Sequence, residues 1–362
     1  SINSAAVSQG NERVIRPRFA DAKFFWDQDC KVKLDSQREA TKKIVFQQKL
    51  GTLFEKTERV SVLAGFIANE IGADQQQAMR AAELSKCDLL SNMVQEFPEL
   101  QGIMGSYYAK HDGEDDAVAA AMQEQYQPAF AGDVIMGIFA IDMKPTGSKD
   151  PFSLRRAALG ALRIIIEGNL DLDLKALLLQ AASGLKEKVD ASNAVEDAFT
   201  FMMERLKAYY QDQGINTDTV NSVASLHPIH PLDFHQRVKA VSTFRDLPES
   251  ESLAAANKRI SNILKKVDSE IPTEVSQELL NEDAEKALYK AVVAQQEKVQ
   301  PLYAKGEYSE ALSSLAVLRE DVDNFFDNIM VMDNNESLKN NRLALLSQLR
   351  ALFLEVADLS RL

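Results

Sequence analysis

The chain has only two cysteines in 362 residues, Cys30 and Cys87, too few for a disulfide framework. It also lacks long apolar runs. Ala157 to Ile166 and Ala351 to Leu359 are interrupted by Arg, Glu or Asp and fall short of the ~20 residues that a membrane span needs. The opening Ser1-Ile2-Asn3-Ser4 has no basic segment leading into an apolar stretch, so no secretory signal is expected. Together these absences predict a cytoplasmic protein with no membrane segment. Neither Gly-x-Gly-x-x-Gly nor Gly-Lys-Ser/Thr occurs, which excludes the two common phosphate-cradling loops. Cations are in deficit, 41 Lys and Arg against 54 Asp and Glu, and the formal net charge is −13. Affinity for phosphate comes from Lys and Arg, so that balance opposes indiscriminate nucleic-acid binding and confines any RNA contact to local basic patches.

What remains is the composition of an ordinary folded protein, 45% apolar and 26% charged. A single core stops growing near ~250 residues, so two or three domains are expected. The apolar period is helical in Leu34–Lys49, Glu55–Ile71, Gln75–Leu90, Ala117–Tyr126, Leu154–Glu167, Leu174–Lys188 and Ala194–Tyr210. It resumes in Asp233–Thr243, Glu251–Val267, Asp283–Lys305, Tyr308–Met330 and Ser337–Leu359. No segment alternates as a strand would, and the fold class is all-α. Stops stand at Gly72, Pro145-Thr146-Gly147-Ser148 and Gly168-Asn169. Pro228/Pro231 and Asp246-Leu247-Pro248 are the expected domain joints. The polar opening without an initiator Met reads as the tail of a missing N-terminal region over residues 1–15. At Gly132-Asp133 a polar turn runs straight into Val134-Ile135-Met136 without cap or spacer, so residues of a longer chain are expected to be absent near 133–137.

Two sets of motifs carry a family resemblance. Ala256-Asn257-Lys258-Arg259-Ile260-Ser261-Asn262-Ile263-Leu264, Phe325-Phe326-Asp327-Asn328-Ile329-Met330-Val331-Met332, Asn341-Arg342-Leu343 and Val356-Ala357-Asp358-Leu359-Ser360 resemble the helical DALR-type anticodon-binding domain. Upstream, Arg16-Pro17-Arg18-Phe19-Ala20-Asp21-Ala22-Lys23-Phe24-Phe25-Trp26, Lys86-Cys87-Asp88-Leu89, Met93 to Gly105 and Pro145 to Phe152 resemble the bacterial glycyl-tRNA synthetase beta subunit. The resemblance runs in order from about Asn11 onward. It implies a degenerate HD-like helical domain over 16–167, a helical connector over 168–246 and a DALR-type bundle over 247–362. It further implies a division of labour in which a separate alpha subunit holds the ATP and glycine site, with magnesium, while beta grips tRNA-Gly. Two alpha and two beta chains are expected. This chain itself is expected to be non-catalytic and to hold no cofactor or metal.

Each candidate residue has a plain alternative. Cys87-Asp88 stands where the HD fold carries a metal-binding His-Asp pair, and Glu124-Gln125 stands where it carries paired His. A metal-bound hydroxide needs several converging His and Asp ligands, so a scaffold kept for its shape is the better reading than a metal-dependent phosphohydrolase. His111-Asp112, before Gly113-Glu114-Asp115, reads as a loop. His227, His230 and His235 lack Cys partners for a structural zinc and read as exposed imidazoles of a linker. Lys149 ahead of the Leu154 helix, with Arg155, Arg156 and Arg163 upon it, offers a phosphate contact through side chains and backbone amides, or internal salt bridges. Lys258, Arg259, Asn262, Lys265 and Lys266 recur at helical spacing, and Arg259, Asn262 and Lys266 share one stripe suited to single-stranded RNA. The alternative is a solvated helix face, and a third reading of the whole chain is a helical scaffold without an RNA role. Phe325, Phe326, Met330 and Met332 read as core, and Asn341-Arg342 as either a helix cap or a phosphate contact.

Overall fold

The computed structural model describes residues 4–126, 132–267 and 270–362. Helix dominates, as the apolar period demands. The chain divides into two compact units, Ser1–Arg205 and Leu206–Leu362, and the division falls inside one helix rather than at a proline-rich joint.

In unit 1 the helices are α1 (Ser4–Asp29), α2 (Leu53–Glu70), α3 (Gln75–Leu84), α4 (Asn92–Glu96), α5 (Ile103–Asp112), α6 (Asp116–Glu124), α7 (Gly132–Ala140), α8 (Leu154–Glu167), α9 (Leu174–Ser183) and α10 (Val195–Asp212), the last crossing into unit 2. Local chemistry fixes their starts. Thr52 and Glu55 form a reciprocal capping box on α2, and Asp74 and Asp173 cap α3 and α9 through Gln77 N and Ala176 N. Gly113, with φ +83°, ends α5 in the left-handed region that a side chain would resist.

One expectation fails here for an identifiable reason. Leu34–Lys49 is not a helix: two 3₁₀ turns, Leu34–Gln37 and Glu39–Lys43, lead into a small antiparallel hairpin of β1 (Val45–Gln47) and β2 (Gly51–Thr52), paired Val45 to Thr52 and Gln47 to Gly51. The Thr41 hydroxyl donates to the Arg38 carbonyl at 2.6 Å, competing with helical bonding, and Ile44-Val45 favours extended backbone. Residues 4–15 belong to α1, which continues through Pro17. Asp133 to Gly137 lie within α7.

Unit 2 holds α11 (Thr217–Ala224), α12 (Pro231–Arg245), α13 (Ser250–Leu264), α14 (Asp283–Ala304), α15 (Tyr308–Leu315), α16 (Arg319–Asn328) and α17 (Glu336–Leu354). Pro231 opens α12 at the first helical position, where its missing N–H costs nothing. The long helices expected over Tyr308–Met330 and Ser337–Leu359 are both divided, by a 3₁₀ turn at Ala316–Leu318 and after Leu354. α12 packs on α11 and α15, and α14 on α15, α16 and α17. Phe234, Phe244, Phe325, Phe353 and Leu349 are buried in this unit.

Candidate nucleic-acid interface

One face of α13 is core. Leu253, Ala256, Asn257, Ile260 and Ser261 are buried, which turns Lys258, Arg259 and Asn262 to solvent. Lys265 caps the helix and Lys266 follows it, both exposed, where positive charge suits the carbonyl end of the helix dipole. None of the three lysines forms an ion pair with a described residue. The Arg259 guanidinium lies 4.2 Å from the centre of the Phe326 ring on α16, a cation–π contact that holds the side chain flat against the protein while leaving it exposed.

Beyond α16, only part of the expected core is core. Phe325 is fully buried, Phe326 is half-buried, and Met330 and Met332 are 76% and 50% exposed. The two methionines fall in the connection between α16 and α17 rather than on a helix, so no neighbouring turn covers them.

Arg342 is not a phosphate contact. Its guanidinium is buried and committed inward, with Nε to the Glu285 carboxylate and Nη1 to the Asp333 carboxylate at 2.7 Å and the Met330 carbonyl at 2.9 Å. Asp333, held by backbone N–H groups and by Arg342, keeps its carboxyl below the usual range. Glu285 is itself buried at the start of α14, where its other oxygen accepts from Asn281 N at 2.9 Å and Glu282 N at 3.0 Å. Asn341 clamps Ser276 by bonds to both its N–H and its carbonyl, at 2.7 and 3.0 Å.

In unit 1 the helix start proposed for a phosphate is already filled. Asp150 accepts from Leu154 N at 2.8 Å and Arg155 N at 3.0 Å, so a carboxylate of the chain takes the amides of α8. Arg155 donates to the Gly147 carbonyl at 2.6 Å and Arg156 to the Ser153 hydroxyl at 2.7 Å, while Arg163 pairs with Glu167. Lys149 is exposed in the Thr146–Lys149 turn. The side chains of Lys149 and Arg156 remain open to solvent, without helix amides to assist them.

Of the HD-like residues, Cys87 and Asp88 are sealed, Gln125 is half-buried and Glu124 is exposed. Cys87 and Asp88 are buried in a 3₁₀ turn, and burial pushes the Cys87 thiol up to about 12. Asp88 Oδ2 accepts from Gly102 N at 2.6 Å, and desolvation raises its carboxyl. Gln125 bonds the Ser85 carbonyl, tying α6 to the turn after α3. His111-Asp112 ends α5 rather than lying in a loop, with Asp112 accepting from Leu34 N at 2.6 Å. His235 is half-buried, not an exposed linker imidazole: its Nδ1 lies 2.7 Å from the Tyr210 hydroxyl and burial lowers its pKa. Among the described residues no cluster of three or more His, Cys, Asp or Glu is arranged to hold a metal, and no helix is long and apolar enough to cross a membrane.

The helical bundle that carries the exposed α13 face matches a known class: residues 253–359 match the DALR anticodon binding domain. Residues 1–225 match the family described as glycyl-tRNA synthetase beta subunit. The chain belongs to the glycyl-tRNA synthetase beta subunit family. It is 51% identical to the glycine–tRNA ligase beta subunit of Pasteurella multocida, over 98% of this chain and 54% of that protein. The corresponding protein of Aeromonas hydrophila is 51% identical over all of this chain and 55% of its own length, and that of Mannheimia succiniciproducens 50% over 98% and 54%. The chain thus spans about half the length of these relatives. The Aeromonas alignment extends over 380 positions for 362 residues here, so that relative holds additional residues within the matched span.

Proposed function

We propose that this chain is the tRNA-gripping part of a glycine–tRNA ligase beta subunit, acting in the cytoplasm beside an alpha subunit that carries the ATP- and magnesium-dependent activation of glycine. Two alpha and two beta chains would form the assembly, and this chain would select and position tRNA-Gly without performing chemistry. The observation that carries the reading is the α13 face, where Lys258, Arg259, Asn262, Lys265 and Lys266 stand exposed within a bundle of the anticodon-binding class. Four unpaired or solvent-facing cations can release counterions from RNA, which corresponds to a slope of roughly −3 in log affinity against log salt.

The test is binding of the 362-residue chain to tRNA-Gly and to a non-cognate tRNA across a salt titration, with Arg259→Ala and Lys266→Ala. Selective binding, a slope near that value, and a slope shallower by about 1 for Lys266→Ala are the expected results. Absence of binding at low salt would overturn the assignment of tRNA grip to this chain.

A further inference from the structure

Unit 1 holds a cavity of about 350 Å³ lined by α2, α3, α6 and the start of α7, a volume within the range of small-molecule sites. Its walls are mostly methyl groups: Ala64 on α2, Ala78 and Ala81 on α3 and Ala121 on α6 are short enough to leave a slot between the helices. Two ammonium groups line that slot, Lys56 from α2 and Lys86 from the turn after α3. Both are half-buried, and neither forms an ion pair with a described residue, in a chain whose net charge is −13. Lys86 rests on Tyr126, with Nζ 4.0 Å from the ring centre and 2.8 Å from the hydroxyl, and Lys56 Nζ lies 4.4 Å from the centre of the Phe46 ring. Aromatic faces hold an ammonium in place without neutralising it. Burial, and then the charge of Lys56, pushes the Lys86 amine down to about 8, and burial lowers Lys56 as well. Nearby carboxylates do not fill the gap. Asp133 is committed to Arg59 at 2.7 Å, Asp88 to the Gly102 amide, and Glu124 is exposed. Two like charges drawn out of water against apolar walls destabilise the free chain, and arrangements of that kind concentrate at binding sites.

We propose that this cavity binds a small phosphate monoester with a flat apolar body, its phosphoryl group between Lys56 and Lys86 and its body in the alanine slot. Charge selects the first end. A phosphate monoester is close to a dianion at neutral pH, so it satisfies both ammonium groups at once, whereas a carboxylate leaves one of them unmatched. The Tyr126 hydroxyl accepts from Lys86 and from Gln101, which leaves its own O–H as a further donor beside the Lys86 amine. The walls select the second end. A thin, flat group meets methyls on both sides, while inorganic phosphate alone leaves them wet. A phosphodiester fits less well, since it carries one charge and two substituents that must both leave the slot. Because α13 belongs to unit 2, the proposal adds a second ligand to the chain and does not depend on the tRNA-binding reading above.

The experiment titrates the 362-residue chain by calorimetry with 1-naphthyl phosphate, inorganic phosphate and uncharged 1-naphthol. The ester is expected to bind at least about tenfold more tightly than either fragment, because each fragment forfeits one end of the site. Lys56→Met and Lys86→Met, which keep the length of the side chain and remove its charge, should each weaken the ester by about tenfold and change the affinity for 1-naphthol by less than about twofold. Without ligand, both variants should melt no lower than the wild type, since each loses a desolvated ammonium that had no carboxylate partner. Equal affinity for the ester and for 1-naphthol, full affinity for the ester in both variants, or a lowered melting midpoint in both would overturn the site. An excess of tRNA-Gly is expected to leave the bound ester in place. Displacement by tRNA-Gly that carries its terminal 5′-phosphate, but not by the same RNA dephosphorylated, would assign the cavity to an RNA end and overturn the small-ligand proposal.

Discussion

Replacing Arg342 by Ala should be among the most damaging single changes in unit 2. The substitution strands Glu285, only 1% exposed, as an unpaired carboxylate, although two backbone N–H groups still reach its other oxygen. Removing one partner of a buried pair typically costs about 3–5 kcal/mol. Asp333, with a side chain 30% exposed, can rehydrate and adds roughly 1 kcal/mol or less. For a unit of this size each kcal/mol corresponds to roughly 2–4 °C, so the midpoint of its thermal transition should fall by about 6–24 °C. Far-UV circular dichroism reads both units. Trp26, the single tryptophan, lies in unit 1, so intrinsic fluorescence follows that unit separately. In Arg342→Met/Glu285→Gln the stranded charge is gone while an oxygen remains to cap α14, and the double variant should recover about 1–3 kcal/mol relative to the sum of the single changes. A loss below about 1 kcal/mol for Arg342→Ala, or strict additivity in the double variant, would refute the account of Arg342 as a buried strut.

Glu55 gives a pH-dependent counterpart in unit 1. The Lys188 ammonium, then the Thr52 N–H, hold its carboxyl down to about 2 against an ordinary 4.5. A depressed carboxyl contributes stability that is fully present above about 4.5 and lost as pH falls through about 2. Because the side chain is 37% exposed, the contribution is modest. Glu55→Gln should flatten the dependence of the unit 1 urea midpoint between pH 5 and pH 2.5, and an unchanged slope in the variant would contradict the pairing of the Glu55 carboxylate with Lys188. Asp150→Ala should fray the start of α8, costing about 1 kcal/mol and accelerating hydrogen exchange at the Leu154 and Arg155 amides; protection unchanged at those two positions would mean that another group caps the helix.

Helices were legible wherever apolar residues kept a steady stripe. Leu154–Glu167 emerges with the bounds that its period predicts, because Leu154, Ala158, Leu162, Ile165 and Ile166 form one buried face. α1 was not, since Ser4 to Val14 offers little apolar periodicity and residues 8–14 are exposed. Leu34–Lys49 carried a helical period that the Thr41 side chain and β-branched Ile44 and Val45 outweighed. The outward face of α13 followed from spacing alone. Arg342 could not be resolved that way, because Glu285 lies 57 residues away and pairs distant in sequence leave no mark in a single chain. Met330 and Met332 were misread because hydrophobicity without a helix to place it says nothing about burial. Asp150 had a detectable signal, a carboxylate four residues ahead of a helix start, but the intervening Pro151-Phe152-Ser153 obscured its role.

The acidity of this chain takes on a further meaning beside the α13 face. With a net charge of −13, the molecule repels a polyanion on average, an effect felt within a screening length of roughly 8 Å at physiological salt. On the proposed reading, the exposed cations of α13 offset that repulsion locally, so an RNA is favoured along that face over the acidic parts of the surface. On that reading the carboxylates would act as a directional filter, lowering the number of encounters while raising the fraction that arrive correctly aligned.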